Sequence, residues 1–327
     1  MLSFFRTNQL AFNIFLIFYV LLLRGSSFIT PAQDWTPGKS GVLSIWIYDL
    51  FAGSTKLPFI IGILLVFLHG ILINMIVARF RMANQVTLFP GVFYILLASS
   101  IPEFLYLSPL LMANTFFIIV LFELFGSYRK KSIIGNVFNV GFWLGVASLF
   151  YFSEIIFLLF AFYSTSILRK FKVKEVLIIT IGFMVPFILT SVYFFWYDQF
   201  SWFWETQFTN NISFLDFDIN KSWETYTKIG FFIIILIITV FSFGSYMAKK
   251  NLQVQKNITI LYWAVFFGFL SFFLQANIRL EHLLLFVVPF SIFLSFNFSN
   301  MRRSLAEAMH LILSIGILLM QFKYFWM

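Results

Sequence analysis

Asp34 is the acidic side chain that is best placed for chemistry in this sequence. It follows the first long apolar run and lies between Pro31 and Pro37, whose rings restrict the backbone on both sides. A carboxylate held in such a loop serves as a general base, which accepts a proton from an attacking hydroxyl, or as a metal ligand. The alternative is a solvated aspartate in a turn. Asp34 is therefore the candidate catalytic residue.

A short segment late in the chain has the residue types that bind phosphate. Arg279, Glu281 and His282 stand directly before an apolar run. Arginine presents a planar fork of donors that matches phosphate oxygens, so Arg279 and His282 are predicted to bind a lipid phosphate. The alternative is that Arg279 extends to the membrane surface and pairs with Glu281.

Five further ionisable residues are secondary candidates. Asp49 and Asp198 lie in the two longest polar loops. Glu103 and Glu154 each open a helix after a tight turn, where a carboxylate either takes part in catalysis or caps the unpaired backbone N–H groups. His69 lies midway along an apolar run, and an ionisable group at that depth in a membrane is a functional candidate. Its alternative is a neutral histidine hydrogen-bonded to a neighbouring helix.

The sequence lacks the motifs that mark several classes of enzyme. It contains no phosphate-binding Walker loop, no HExxH, no GxSxG and no paired-histidine metal signature. It also contains no cysteine, which excludes disulfides and thiolate metal sites. The metal sites are therefore predicted as none, and the cofactor stays unknown, with a divalent metal open.

Transmembrane helices must position these candidates. The chain is 61% hydrophobic and 11% charged, whereas soluble proteins carry about 25% charged residues. A spanning helix needs about 20 apolar residues. The sequence predicts an all-α polytopic bundle that forms a single membrane domain over residues 1–327. Its eleven spans lie near residues 8–28, 57–78, 86–101, 104–126, 133–152, 154–168, 176–197, 229–248, 258–276, 282–300 and 308–322.

Clusters of lysine and arginine between the apolar runs predict the orientation. Positively charged loops stay in the cytoplasm, so the N-terminus is cytoplasmic and eleven spans place the C-terminus outside. The net charge of +9 then reflects orientation and anionic lipid rather than nucleic acid. The first apolar run lacks a small-residue cleavage site and is interpreted as an uncleaved span. The clusters are Arg6, Arg79 to Arg81, Arg129 to Lys131, Arg169 to Lys174, Lys249 to Lys256, and Arg302 with Arg303.

Two predicted outer loops, residues 24–56 and 198–228, are long enough to fold. The second half of the first loop, residues 40–51, is apolar and carries the interfacial aromatics Trp46 and Tyr48. Such a segment is typical of a short amphipathic helix that lies in the headgroup layer. The acidic candidates of both loops would then face the outer surface.

Two segments resemble recurring segments of the polytopic GT-C glycosyltransferases. They are residues 139–151 and the late helix that begins Arg279-Leu280-Glu281-His282 and continues to Pro289. The whole chain is similar to polytopic inner-membrane proteins of Bacteroidota, which we place as distant relatives of that superfamily. The resemblance implies transfer of a sugar from a polyprenyl-phosphate donor at an outer-facing cavity. It also implies that Asp34 is the base or metal ligand, and that Arg279 and His282 hold the lipid phosphate.

The leading hypothesis is therefore a multi-pass protein of the bacterial inner membrane that uses a lipid-linked sugar. Its partners would be membrane lipids, a polyprenyl-phosphate sugar and other membrane proteins. The family's acidic doublet is missing, since Trp35 follows Asp34. The alternatives are thus a non-catalytic scaffold subunit of an envelope complex, and a lipid or solute carrier.

Overall fold

The structure is a computed structural model that describes most of the chain. The described residues are 2–6, 10–28, 40–51, 54, 56–130, 132–170, 172–212, 216–217, 222–248, 250–274 and 277–322. They form a helical bundle, as the sequence predicts. Asp34, the candidate base, lies outside the described residues.

Fourteen α-helices occur in the described part of the chain. They are α1 (Leu10–Arg24), α2 (Val42–Phe51), α3 (Leu57–Arg79), α4 (Phe89–Leu97), α5 (Pro109–Gly126), α6 (Ile134–Phe150), α7 (Phe157–Leu168), α8 (Val173–Trp196), α9 (Phe200–Trp204), α10 (Trp223–Phe241), α11 (Phe243–Met247), α12 (Leu252–Ser271), α13 (Leu284–Asn300) and α14 (Arg303–Gln321).

Shorter elements connect the helices. A π-helical turn covers Glu205–Thr209, and 3-10 turns cover Leu2–Arg6, Gly25–Phe28, Pro102–Phe104, Phe152–Ile156, Phe272–Leu274 and Leu280–Leu283. Two-residue strands β1 (Asp216–Phe217) and β2 (Asn277–Ile278) pair in parallel, with Asp216 opposite Asn277. This pairing joins the second predicted outer loop to the segment just before Arg279.

Local signals set where several helices begin. Ser108 caps α5 by accepting the backbone N–H of Leu111 (3.1 Å), and Asn251 caps α12 by accepting that of Val254 (2.9 Å). Such side chains satisfy backbone donors that have no partner inside the helix. Proline stands in the first turn of α3, α4 and α5, where its missing N–H costs no hydrogen bond.

Within the described part of the chain, seven helices are long and apolar enough to cross a membrane, which fits a multi-pass membrane protein. They are α3, α5, α8, α10, α12, α13 and α14. The other four predicted spans contain the shorter helices α1, α4, α6 and α7. The predicted helix in the first outer loop is confirmed as α2, with Trp46 and Leu50 exposed.

The third predicted span, residues 86–101, is wrong as a continuous helix. α4 has nine residues, so its length is about 13 Å. It ends at Leu97 because the chain turns there toward the 3-10 segment Pro102–Phe104. The buried guanidinium of Arg24 donates hydrogen bonds to the carbonyls of Ala98 and Phe104, in the chain that follows α4.

The core lies around α13. In the most apolar stretch of Leu280–Asn300, which contains α13, 83% of the residues are buried. The corresponding fraction is only 22% for α10 and 28% for α8, so these two helices lie at the periphery. All nine residues of α4 are buried as well. The exposed surfaces of α8 and α10 are apolar, as lipid-facing surfaces of a spanning helix must be.

The basic loops meet at one end of the bundle. Lys250 donates to a carbonyl of the loop between α3 and α4 (3.0 Å), and Arg169 donates to the Lys130 carbonyl (2.9 Å). Lys256 donates to a carbonyl at the end of α7 (3.1 Å). We call this the basic end. The turn end is the region formed by the 3-10 turns Pro102–Phe104, Phe152–Ile156 and Leu280–Leu283.

Candidate functional site

An apolar cavity of about 240 Å³ lies between α10, α12 and α13. Among the residues that the structure describes, Arg279 is the single charged one in its wall. The remaining wall residues are aliphatic or aromatic: Ile229, Phe232, Ile233, Leu236, Phe269, Phe272, Leu280, Leu283, Phe286 and Phe290. The cavity therefore offers a hydrophobic lining with one cation.

His282 holds the backbone of Arg279 from inside the protein. Its side chain is buried, and its Nδ1 accepts the backbone N–H of Arg279 (3.2 Å). Its Nε2 forms a hydrogen bond with the Tyr151 hydroxyl. The ring also stacks on Phe272, with centroids 5.3 Å apart. His282 thus connects Arg279 to the turn between α6 and α7.

Glu103 forms an ion pair beside the cavity. Its Oε1 accepts a hydrogen bond from Lys228 Nζ at 2.6 Å, and Lys228 directly precedes the wall residue Ile229. The Pro102–Phe104 turn also contacts the Leu280–Leu283 turn. Glu103 and Arg279 are therefore held in adjacent turns, and the Glu103 carboxylate fixes a second cation there.

Glu154 is a buried carboxyl group on the same end of the bundle. It is fully buried in the turn between α6 and α7. Neither of its carboxyl oxygens has a hydrogen-bond partner in the described part of the chain. Its backbone N–H donates to the Tyr151 carbonyl (3.1 Å). A buried carboxyl group without a partner is costly, so Glu154 remains a candidate for chemistry rather than a helix cap.

The two predicted outer loops are joined at the turn end. Gln207 of the second loop is buried, accepts the backbone N–H of Val42 (2.9 Å) and donates to the Ser148 carbonyl (2.8 Å). The backbone N–H of Gly41 donates to the Phe150 carbonyl (3.0 Å). The start of α2 is therefore attached to the end of α6, close to Tyr151.

Tyr48 attaches α2 to the chain just before α5. Its hydroxyl donates to the Leu107 carbonyl at 2.6 Å. Burial raises the pKa of Tyr48 well above its ordinary value, and the charge of Glu281 raises this pKa further. The helix that follows the Asp34 loop therefore lies within electrostatic range of the segment that carries Arg279.

Of the sequence candidates that the structure describes, Arg279 alone lines the cavity. Asp49 and Asp198 are exposed. His69 is buried, with Nδ1 2.7 Å from the Tyr94 hydroxyl and Nε2 2.7 Å from the Thr115 hydroxyl. Both of its ring nitrogens therefore have partners on neighbouring helices, which is the arrangement expected of a structural histidine.

Sequence reasoning overlooked Tyr151, Lys228 and Gln207. Tyr151 and Gln207 carry no charge, and although Tyr151 ends the segment at residues 139–151, that resemblance gives it no role. Lys228 had a signal, since it is a lysine on the predicted outer side, where lysine is uncommon. The structure identifies all three because each forms hydrogen bonds to segments that are distant in the sequence.

No three histidine, aspartate or glutamate side chains lie close enough to hold a metal ion within the described residues. Comparisons with protein-family models, curated proteins and solved structures find no match to this chain. The resemblance to GT-C glycosyltransferases therefore stays a prediction, and function is inferred from the cavity and its surroundings.

Proposed function

We propose that the protein is a membrane transferase that takes a sugar from a polyprenyl-phosphate donor at the turn end of the bundle. The observation that carries this proposal is the apolar cavity whose described wall residues include one charged side chain, that of Arg279. An isoprenoid chain gains free energy when apolar surface encloses it, and a phosphate needs a cation with several donors. One cavity offers both.

Arg279 supplies the phosphate contact. A guanidinium forms two parallel hydrogen bonds to a phosphate, and these are stronger than bonds between neutral groups. His282 acts as a positioning residue, because it holds the Arg279 backbone through Nδ1 and is itself bound to Tyr151. Lys228 lies at the same end, where its charge is paired with that of Glu103.

The transfer reaction needs a base for the acceptor hydroxyl. The hydroxyl oxygen attacks the anomeric carbon of the sugar and forms the new glycosidic bond. The bond from that carbon to the phosphate oxygen breaks, and its electron pair leaves with the polyprenyl phosphate. Asp34 accepts the hydroxyl proton, and Arg279 stabilises the charge on the departing phosphate. Glu154, which is buried in the turn that follows Tyr151, is the other candidate carboxyl group.

The proposed setting is the bacterial inner membrane, with eleven spans, a cytoplasmic N-terminus and the turn end outside. Support comes from the contacts that gather the basic loops at the opposite end. A lipid-linked donor would enter the cavity sideways from the bilayer, because Ile233 and Phe269 of the cavity wall are partly exposed on the surface of the bundle.

Binding and transfer test separate parts of this proposal. Arg279→Ala should weaken binding of a polyprenyl phosphate about tenfold, the equivalent of one charge-assisted hydrogen bond. Titrating the lipid into detergent-solubilised protein while recording the thermal unfolding midpoint measures the effect. Lys56→Ala is the matched control, since Lys56 is an exposed cation of the first outer loop that does not line the cavity.

Asp34→Asn keeps the size of the side chain but removes its charge. It should abolish sugar transfer and leave lipid binding unchanged. Full transfer by this variant would eliminate Asp34 as the base. A wild-type protein that binds the lipid but transfers no sugar would instead be a lipid carrier, and one that does neither would be a scaffold.

A further inference from the structure

A second cavity lies at the basic end, in the loop between α3 and α4. Its volume is about 250 Å³. Val77 and Ala78 form one side of the cavity. The polar side chains of its lining are those of Arg81, Asn84, Gln85 and Thr87. It is remote from the Arg279 cavity, since the two lie at opposite ends of the bundle.

Every polar side chain that the structure describes in this lining is able to donate a hydrogen bond, and none of them is a carboxylate. Arg81 brings a permanent positive charge, while Asn84, Gln85 and Thr87 bring neutral donors. Arg81 makes no ion pair with any described residue. A lining of donors around one cation is suited to an anion with several acceptor oxygens.

Thr87 is an independent sign of a missing ligand. Its side chain is only 5% exposed, and its hydroxyl has no hydrogen-bond partner among the described residues. A buried hydroxyl without a partner costs free energy. A ligand oxygen inside the cavity would accept the hydrogen bond that the protein does not provide.

Lys250 orients another donor toward the same space. Its ammonium group donates to Asn84 Oδ1 and to the Met82 carbonyl (3.0 Å). Because the carbonyl oxygen of the Asn84 amide is occupied in this way, the NH₂ group on the other side of the amide is available to a ligand. Lys250 also contributes a second positive charge behind the lining.

Arg81 occupies a backbone position that glycine usually takes. The backbone N–H of Met82 donates to the Val77 carbonyl (3.0 Å), and that of Arg81 donates to the Ala78 carbonyl (3.2 Å), as in the Schellman motif that ends many helices. The residue in the left-handed conformation is Arg81, at φ 50°. This conformation is unfavourable for any residue with a Cβ. Glycine would therefore be more stable than arginine at this position.

We propose that this cavity binds a phosphate group, either the headgroup of an anionic phospholipid or free phosphate. The ligand would accept hydrogen bonds from Arg81, Thr87 and Asn84. This site is independent of the proposed transferase activity and lies at the other end of the molecule.

The test uses the full-length protein in maltoside micelles, which contain no phosphate. One arm adds inorganic phosphate, with chloride at equal ionic strength as its control. The other arm adds phosphatidylglycerol, with diacylglycerol of the same chain length as its control. The thermal unfolding midpoint across each titration gives an apparent dissociation constant.

Arg81→Gly is the main variant, because it removes the guanidinium and suits the left-handed backbone. It should fold at least as stably as the wild type and bind about tenfold more weakly, the loss expected for a charge-assisted hydrogen bond. Thr87→Val keeps the side-chain volume, removes the hydroxyl and should also weaken binding. Arg129→Gly is the matched control, since Arg129 has φ 54° in another basic loop and does not line the cavity.

Each outcome of these titrations either supports or overturns the proposed phosphate site. Stabilisation by phosphatidylglycerol alone assigns the site to a lipid headgroup, and stabilisation by inorganic phosphate assigns it to free phosphate. The proposal is overturned if neither ligand stabilises the wild type more than Arg81→Gly. It is also overturned if Arg129→Gly loses as much affinity as Arg81→Gly.

Discussion

Arg24 is a fully buried arginine at the turn end of α1. Its guanidinium donates to the carbonyls of Ala98 (2.8 Å), Phe104 (2.9 Å) and Leu105 (3.3 Å). Its Nε also donates to the Ser99 hydroxyl (3.3 Å). These acceptors belong to the chain that follows the early end of α4. One side chain thus supplies the donors that a continued helix would have supplied.

Replacing Arg24 by methionine should destabilise the protein strongly. The change keeps much of the side-chain length but leaves buried carbonyls without donors, at a cost of about 3 kcal/mol for a charged hydrogen-bonding group. Arg24→Lys should recover part of the loss, because a lysine ammonium donates from one point rather than from a fork. Thermal unfolding in detergent measures both variants. Arg303→Met, at an exposed position, is the control, and an equal loss there would contradict this role.

Helices α6 and α8 pack closely against each other through glycine residues. Gly141 and Gly145 are one turn apart on α6 and face the α8 backbone. A Cβ on Gly141 would lie 2.1 Å from the Ile179 carbonyl oxygen, and one on Gly145 would lie 2.4 Å from that of Phe183. Spanning helices have little hydrophobic force between them, so close backbone approach through small residues stabilises the pair.

Gly141→Val should separate these helices and lower the thermal unfolding midpoint. The added methyl groups overlap a backbone carbonyl that has no room to move, because α8 is continuous at this point. Gly316→Val on α14 is the matched control, since a Cβ there meets nothing within 4 Å. Both variants carry the same change in helix propensity. An equal shift in both would show that packing against α8 is not the cause.

At the scale of the whole molecule, the distribution of charge predicts the orientation. The loops that carry Arg81, Lys130, Arg169 and Lys250 meet at one end of the bundle. Gln321, at the end of α14, donates to the Ser99 carbonyl at the other end (2.5 Å). The positive-inside rule then assigns the basic end to the cytoplasm.

Reporter fusions measure this orientation directly. Fusions after Lys131, Lys174 and Arg303 should report a cytoplasmic location. Fusions near Asp34 and Asn210 should report the outer side, because eleven spans alternate in direction from a cytoplasmic N-terminus. A cytoplasmic signal from the loop at residues 198–228 would contradict the predicted topology. One missed or added span would invert every cluster that follows it.

The candidate site was predictable only in part. An arginine on the predicted outer side is unusual enough to single out Arg279, and the structure places it in the wall of an apolar cavity. The same reasoning does not single out Arg24, because its carbonyl partners lie 74 to 81 residues later in the chain. Tyr151 was not predictable, because its role depends on a hydrogen bond to His282, 131 residues later in the chain.

The sequence by itself determined the helical class, the positions of most helices and the basic loops, because long apolar runs and charged loops are local properties of the chain. It also determined α2, since a short apolar segment with aromatics has a local signature. Only the tertiary structure decided the length of α4, the burial of Arg24 and the two cavities. Each of these depends on which distant segments pack together, and apolar composition is nearly the same along every span.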